Sequence, residues 1–515
     1  MRVAFRVDSS SEIGTGHFAR CSTLAEALRS QGADVTILSR TLVGDDFKFL
    51  ESSGFEVIRL NVSRSTDRGM RHDDSPNMTW RDSIQEEDFC LSDKALSQKT
   101  NFDWLVIDHY GIDSQWESRM RKCTKRIMVI DDLANRKHDC DFLLDQNYYP
   151  NSISRYTNLV PNQCRMALGT GYALLDPRYA ELRNNIKPLR ESVKRIVVYF
   201  GGSAYKHLYE LTIKAFQALQ NNELELDIVL GQDGSNRLEI EKLIKESDNI
   251  RIHAGLPSLA PLLKHADLCI GGAGTTTWER CCLGLPTIVV TIARNQEELA
   301  KALHHDGLID WIGDEDSVTS KDILKAIKSA DNQISRLDMS QKCRDLVDGL
   351  GLHRIVAAMR IQNDTDLKIR PTTEIDERNY FRWVNDPDVK KFSFSGGAIS
   401  KLEHRRWFRQ RLGSSATKLF ICEIGEAPAI TIGQVRFEQF NEEWRINFSL
   451  DRAFRGLGLG KRLLDLSIQT LQDQIPECKL VAEVKAENWR SAHIFENLGF
   501  SRSISTDGAI NVYRR

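Results

Sequence analysis

The sequence predicts an α/β chain of two open, mostly parallel units followed by a smaller third domain. Three observations carry this. Residues 1 to about 175 alternate short apolar strands with helices, the pattern of a parallel sheet covered on both faces. The alternation restarts near Lys194, where the strand Arg195–Phe200 runs into Gly201-Gly202-Ser203 and Leu226–Leu230 ends at Gly231. A helix end and polar linker, from about Gly349 to Asp366, then precede a further domain beginning at Leu367. The expected domains are 1–185, 186–355 and 367–515, with a linker at 356–366.

The 515-residue length fits roughly three or four domains of ~150 residues each. Apolar residues at 41% and charged residues at 28% suit a protein that buries real cores. A formal net charge of −2, with basic residues spread along the chain, gives no general attraction to nucleic acid or anionic membrane. The eleven cysteines form no CxxC pair and have no histidine at metal-ligand spacing. The opening MRVAFRVDSS reads as a first strand rather than a signal peptide, and no apolar run approaches the ~20 residues that span a bilayer. The expectation is a reduced, cytoplasmic protein with no metal, nucleic-acid or membrane partner. The sequence leaves its oligomeric state open.

In chain order, Val3–Val7 is the first strand, and the loop from Ser9 to His17 enters a helix over about Gly16–Ser30. Phe18, Cys21, Ala25 and Leu28 give that helix an apolar face. Ala33–Leu38, Trp104–Asp108 and Ile127–Ile130 are the next strands. Ligands bind beyond the carboxyl ends of such strands, which singles out the loops 8–17, 108–110 and 131–136. His17 falls in the first helical turn of Gly14-Thr15-Gly16-His17, where the positive dipole end disfavours the imidazolium. A histidine kept neutral there can accept a proton; it could equally cap the helix or only contact phosphate. Tyr110, with Asp108 and His109, could orient a sugar, or Asp108 could cap the next helix. Arg136 could contact substrate or pair internally with Asp131 or Asp132.

The second unit is organised around Gly271–Gln296, GGAGTTTWERCCLGLPTIVVTIARNQ. Ala266–Ile270 reads as a buried parallel strand, and Gly271, Gly272 and Gly274 allow a tight turn. Thr275, Thr276 and Thr277 lead into a helix over Trp278–Leu283, closed by Gly284 and Pro286, before a strand at Thr287–Ile292. A glycine turn opening a helix aims unpaired N–H groups and a positive dipole at one spot, which suits a diphosphate. Glu279, one turn further in, could accept hydrogen bonds from ribose hydroxyls. The alternative is an ordinary strand–turn–helix unit whose glycines serve packing alone. The longer pattern, through Trp278-Glu279 to Asn295-Gln296, resembles the nucleotide-binding half of UDP-sugar enzymes built like the bacterial glycosyltransferase that makes peptidoglycan precursor.

With RVDSSSEIGTGHFARCSTLAEAL, IDHYGID, IDDLANRKHDCDFLLDQN, GYALLDPRY and FGGS, this stretch resembles a single family over roughly residues 1–350. It is that of the UDP-2,4-diacetamido-2,4,6-trideoxy-β-L-altropyranose hydrolases of pseudaminic acid biosynthesis. The resemblance implies two Rossmann-like domains of glycosyltransferase-B type, with UDP on the C-terminal half and His17 as general base on water. Gly14, Gly16, Tyr110, Arg136, Gly272, Gly274, Thr275, Thr276, Glu279, Asn295 and Gln296 are the expected substrate contacts. FGGS is followed by Ala204 where the family commonly has Asp.

In the third domain, Arg455, Gly458 and Gly460 form R-x-x-G-x-G between the strand Trp444–Leu450 and a helix. With the strand Leu480–Val484 and NWRSAHIFENLGF at Asn488–Phe500, this resembles the GNAT acetyltransferases, an α+β fold whose mixed sheet is splayed to admit acetyl-CoA. By that resemblance Leu457, Gly458, Leu459, Gly460 and Lys461 bind the pyrophosphate and Asn488 the pantetheine arm. IRPTTEIDERNYFRWVNDPDVKKFSFSG, Ile399-Ser400 and EHRRWF resemble the acetyltransferase of the same pathway, which acetylates the 4-amino group of a UDP-aminosugar. His404, Glu423 and Glu438 are candidate bases, with His404 as apt to pack beside Trp407 and Phe408. Many relatives carry Tyr where this chain has Phe495. The expected protein is a bifunctional enzyme, acetylating a UDP-4-amino-4,6-dideoxy-AltNAc and then removing UDP. Its rivals are a glycosyltransferase fused to an acetyltransferase and a catalytically silent sugar-nucleotide sensor.

Overall fold

The computed structural model describes the chain except for residues 9–15, 43–50, 52, 62–81, 100, 150–151, 187, 202–204, 232–236, 245–246, 363, 395–396, 426–427 and 505–508. The chain divides into two compact units, Met1–Leu352 and His353–Arg515.

The first unit holds two parallel sheets. One consists of β1 (Arg2–Val7), β2 (Asp34–Arg40), β3 (Glu56–Leu60), β4 (Trp104–Asp108), β5 (Ile127–Ile130), β6 (Phe142–Asp145) and β7 (Arg165–Leu168). Its order is β3-β2-β1-β4-β5-β6-β7, every pair parallel. β4, β5 and β6 are buried at every position, as continuous apolar runs require when helices cover both faces. Helix α1 (Gly16–Ser30) buries Phe18, Cys21, Leu24, Ala25 and Leu28, each leucine contributing about 1.5–3 kcal/mol. Strand order reverses between β1 and β4, so both carboxyl ends border one crevice.

The other sheet consists of β8 (Arg195–Tyr199), β9 (Glu225–Leu230), β10 (Ile250–Ala254), β11 (Leu268–Gly271), β12 (Thr287–Thr291) and β13 (Asp310–Asp314). It is ordered β10-β9-β8-β11-β12-β13, again all parallel. Its reversal lies between β8 and β11, and β11 feeds helix α2 (Thr276–Leu283). Gly271 is required where β11 ends. A β carbon there would lie 2.4 Å from the Tyr199 carbonyl oxygen and 2.7 Å from Arg280 Nη1. The first obstacle is backbone in the neighbouring strand, so it cannot swing aside. Gly271→Ala is therefore expected to destabilise the first unit by about 1–3 kcal/mol, read as a lowered midpoint of its thermal unfolding.

Residues 356–360, expected as linker, instead complete helix α3 (Gly351–Arg360). Leu352, Ile355, Val356 and Met359 are all buried, an i, i+3, i+4, i+7 pattern that marks an amphipathic helix.

In the second unit, β14 (Lys368–Pro371), β15 (Thr417–Ile424), β16 (Ile430–Phe440), β17 (Glu443–Leu450), β18 (Lys479–Lys485), β19 (Ser501–Ile504) and β20 (Ile510–Arg514) make one mixed sheet. The order is β14-β15-β16-β17-β18-β20-β19, with β17–β18 the parallel pair. Between β14 and β15 lie α4 (Glu377–Val384) and α5 (Lys401–Leu412); α6 (Leu459–Gln472) follows β17, and α7 (Trp489–Asn497) follows β18. Tyr380, Trp383 and Phe408 pack on Leu419 and Ile421, which seats α4 and α5 on one sheet face. α6 buries Leu459, Leu463, Leu464, Ile468 and Leu471. Among the described residues no helix is long and apolar enough to cross a membrane.

Candidate functional site

β1 and β4 are neighbours, with Val7 opposite Asp108, so the sheet order brings the start of α1 beside the end of β4. His17 Nδ1 meets Asp108 Oδ1 at 2.5 Å. Asp108 also accepts from Arg20, at 2.6 Å from Nε and 2.7 Å from Nη2, and from the Cys21 thiol at 3.4 Å. Arg20 Nη1 donates to Asp132 at 3.0 Å. Arg20 Nη2 is 3.1 Å from His17 Nδ1 as well, but both groups are donors converging on the same carboxylate oxygen. The Tyr110 ring stands edge-on to His17, 4.5 Å between centroids. Burial alone would raise the Asp108 carboxyl; the Arg20 guanidinium and then His17 outweigh it and hold Asp108 well below the usual carboxylate range. An ionised Asp108 is acceptor only, so Nδ1 carries the ring proton and Nε2, on the opposite edge, is the basic nitrogen.

His17 lines a cleft of about 190 Å³ to which both sheets contribute. A β carbon on Gly16 would lie 3.8 Å from Thr275 Cγ2, so the first turn of α1 faces the residue preceding α2. The positive dipole ends of two helices thus meet across the cleft, an arrangement that attracts a diphosphate. Of the residues expected here, the structure brings Gly16, His17, Tyr110, Gly272, Gly274, Thr275, Thr276, Asn295 and Gln296 to the cleft. Gly14 lies outside the described residues, as does Ala204. Gln296 Oε1 accepts from the Ala273 and Ile292 N–H groups, both at 3.2 Å, which fastens the glycine turn to the end of β12. Glu279 stands behind the lining, where its Oε2 accepts the Tyr179 hydroxyl at 2.7 Å and burial pushes its carboxyl up to about 7.

Arg136 is a correction. Its Nη1 donates to Asp131 at 2.8 Å, its Nε to the Ile112 carbonyl at 2.8 Å and its Nη2 to the His109 carbonyl at 3.1 Å. The guanidinium pins two loops together inside the wall instead of reaching the cleft. His109 is likewise structural: Nε2 meets Asp8 at 3.1 Å, Nδ1 accepts the Gly111 N–H at 3.0 Å, and burial lowers its pKa to about 4. Sequence reasoning passed over Arg20, Asn147 and Tyr149, which also line the cleft. Arg20 was findable, since a spacing of three puts it on the helix face of His17; Asn147 and Tyr149 follow β6 with no local signature.

In the second unit β17 and β18 pair only over Glu443–Arg445 and Lys479–Val481, and beyond Arg445 the strands part. β17 then leads through Gly456 (φ 76°) to Gly458 (φ 72°), which caps α6 without a side-chain hydrogen bond. That left-handed turn leaves the first-turn N–H groups of α6 for a ligand, and Leu457, Gly458, Leu459, Gly460 and Lys461 occupy it. Arg455 is tied to the Leu450 carbonyl, Asp386 and Asp388, which fixes the turn's entrance. Asn488 is the N-cap of α7, its Oδ1 accepting from the Ser491 N–H at 3.3 Å.

Residues 366–501 match the Acetyltransferase (GNAT) domain family. The second unit carries a GNAT acetyltransferase domain. Residues 196–349 match the Glycosyltransferase family 28 C-terminal domain, in keeping with the second of the two Rossmann-like sheets. An uncharacterized protein of Methanocaldococcus jannaschii is 24% identical over 98% of this chain and 97% of its own. A UDP-2,4-diacetamido-2,4,6-trideoxy-beta-L-altropyranose hydrolase of Campylobacter jejuni is 28% identical over 60% of this chain and 97% of its own. MurG of Acinetobacter baumannii, a solved structure, is 15% identical and covers 70% of this chain and 99% of its own at a TM-score of 0.47.

Within the GNAT domain the candidate bases are otherwise engaged. Glu423 pairs with Arg370 at 2.8 Å, and Glu438 with Arg411 at 3.0 Å and Arg436 at 3.3 Å. His404 is buried among Phe381, Trp407 and Phe408 with neither ring nitrogen hydrogen-bonded, and burial lowers its pKa to about 4. It is a poor base near neutrality. Phe495 is core, packed against Phe448, Phe500 and Tyr513. Among the described residues no group of His, Cys, Asp and Glu is placed to hold a metal.

Proposed function

We propose that the chain is a bifunctional enzyme of pseudaminic acid biosynthesis. The GNAT domain acetylates the 4-amino group of a UDP-4-amino-4,6-dideoxy-AltNAc. The first unit then hydrolyses the product, UDP-2,4-diacetamido-2,4,6-trideoxy-β-L-altropyranose, to free sugar and UDP. The observation that carries this reading is His17, oriented by Asp108 and facing the Gly272–Thr276 turn across one cleft. The Campylobacter jejuni hydrolase, aligned over 97% of its length, supports the choice of substrate.

In the hydrolysis, water beside His17 Nε2 attacks the anomeric carbon. A new C–O bond forms, the bond from that carbon to the UDP oxygen breaks, and its electron pair leaves on the diphosphate. Nε2 takes the proton of the water. Asp108 holds the Nδ1–H and stabilises the imidazolium as it forms, while Arg20 keeps Asp108 ionised. The Gly274–Thr276 amides and the α2 dipole stabilise charge gathering on the diphosphate. A charged diphosphate leaves without a proton, so one base replaces the two carboxylates of ordinary glycosidases. Tyr110, Asn295 and Gln296 hold the sugar or diphosphate, while Glu279, expected at the ribose, stands behind the lining.

Acetyl-CoA, which supplies an activated acyl group when bound, fits the second unit. The Gly458 turn, the uncapped amides of α6 and the parted strands make a cradle for a pyrophosphate and a slender arm. Leu457–Lys461 hold the pyrophosphate, and the Asn488 side-chain amide meets the arm. The neutral sugar amine attacks the thioester carbonyl; the N–C bond forms, the C–S bond breaks, and the proton shed by nitrogen ends on the CoA thiol.

The test is mass spectrometry of UDP-4-amino-4,6-dideoxy-β-L-AltNAc incubated with the full chain, with and without acetyl-CoA. UDP and free diacetamido sugar are expected only when acetyl-CoA is present. Accumulation of the acetylated nucleotide, uncleaved, would overturn the hydrolase half and favour a glycosyltransferase, the reading that the family 28 match supports.

A further inference from the structure

The GNAT sheet carries a polar cluster on a face that should be apolar. Register sets Ile421, Gln434 and Ser449 side by side across β15, β16 and β17, with Leu419, Arg436 and Asn447 two residues along. Opposed residues, and residues two apart, share a face. Ile421 and Leu419 pack on Tyr380, Trp383 and Phe408, so this face looks toward α4 and α5. α6 lies on the opposite face, where Leu463 approaches Gly433.

Gln434 is 7% exposed. Its Nε2 donates to Asn447 Oδ1 and Ser449 Oγ, both at 3.3 Å, and its Oε1 has no partner. With Nε2 spent on Asn447 Oδ1 and Ser449 Oγ, the end left unmet is the acceptor. A buried amide with an unmet end is a standing cost that a purely structural position would shed. Its location is equally specific. Ser449 lies four residues beyond Arg445, the last β17 residue paired with β18, about 13 Å along the strand. Gln434 therefore sits beside the part of the sheet that has opened. The bordering helix α5 is basic, with Lys401, Arg405, Arg406, Arg409 and Arg411 against Glu403, a field that favours a diphosphate-bearing ligand.

We propose that Gln434, braced by Asn447 and Ser449, binds the acceptor amine of an anionic sugar nucleotide, its Oε1 accepting an amine N–H at the opening of the sheet. The inference rests on the reading of this domain as an aminosugar N-acetyltransferase. It makes Gln434 a binding residue, which leaves the amine lone pair free to attack.

The experiment uses the full chain, with UDP-4-amino-4,6-dideoxy-β-L-AltNAc as acceptor and CoA thiol release as the readout. Gln434→Met keeps the shape and loses the acceptor atom; Gln434→Glu keeps an acceptor. The Met variant is expected to raise KM for the aminosugar by about tenfold or more and leave KM for acetyl-CoA within about twofold, and the Glu variant to recover most of the loss. A Met variant equal to wild type, or one that raises both KM values alike, overturns the inference and leaves the acetyltransferase reading standing. Wild-type protein that binds acetyl-CoA in calorimetry yet acetylates no aminosugar overturns both.

Discussion

Replacing His17 with alanine is expected to lower UDP release from the diacetamido nucleotide by about 10²–10⁴-fold, the range a single general base supplies. UDP affinity, measured by calorimetry, is expected to change by less than about twofold, because the proposed diphosphate contacts are backbone amides of Gly274–Thr276. The substitution is a clean one structurally. Asp108 keeps both Arg20 hydrogen bonds and the Cys21 thiol when the imidazole is gone, so no uncompensated charge is left in the wall. A variant that hydrolyses at the wild-type rate removes His17 as the base. One that loses UDP binding in proportion assigns it instead to the ground-state complex.

Much of this arrangement was legible in the sequence because buried parallel strands announce themselves. Trp104–Ile107 and Ile127–Ile130 are unbroken apolar runs, and the glycine turn at Gly271 follows another. Periodicity found α1 from Gly16 to Ser30 at its observed limits. What sequence could not supply was adjacency. Asp108 is 91 positions from His17, and only the β1–β4 pairing makes them partners. Arg136 was misjudged for the same reason: beside two acids at the end of a strand, nothing local tells a cation facing a cleft from one locked to Asp131. The polar face of the GNAT sheet was hidden differently. In Gln434–Phe437 the alternation of polar and apolar residues suits a half-solvated strand, whereas Gln434 is 7% exposed.

Asp108→Asn is expected to lower hydrolysis by about 10²–10⁴-fold, as much as loss of the base itself, although the group never touches substrate. The Asn amide can present its N–H₂ to His17, which drives the ring proton to Nε2 and leaves no lone pair for water. It can instead present its oxygen, but then the N–H₂ abuts the donors of Arg20. Stability moves with it. Arg20, 5% exposed, would retain only Asp132 at 3.0 Å as a charged partner, and breaking a buried pair costs up to about 3–5 kcal/mol. The pH dependence has a definite sign. Because Asp108 is held below its unfolded value, its contribution is fully present above the ordinary carboxylate pKa of about 4 and is lost as pH falls through its lowered native value. Thermal unfolding of the two proteins should therefore differ most from neutrality down to about pH 4 and converge below it. A variant that loses this stability yet keeps its turnover would make Asp108 a structural anchor of α1 and sever it from the base.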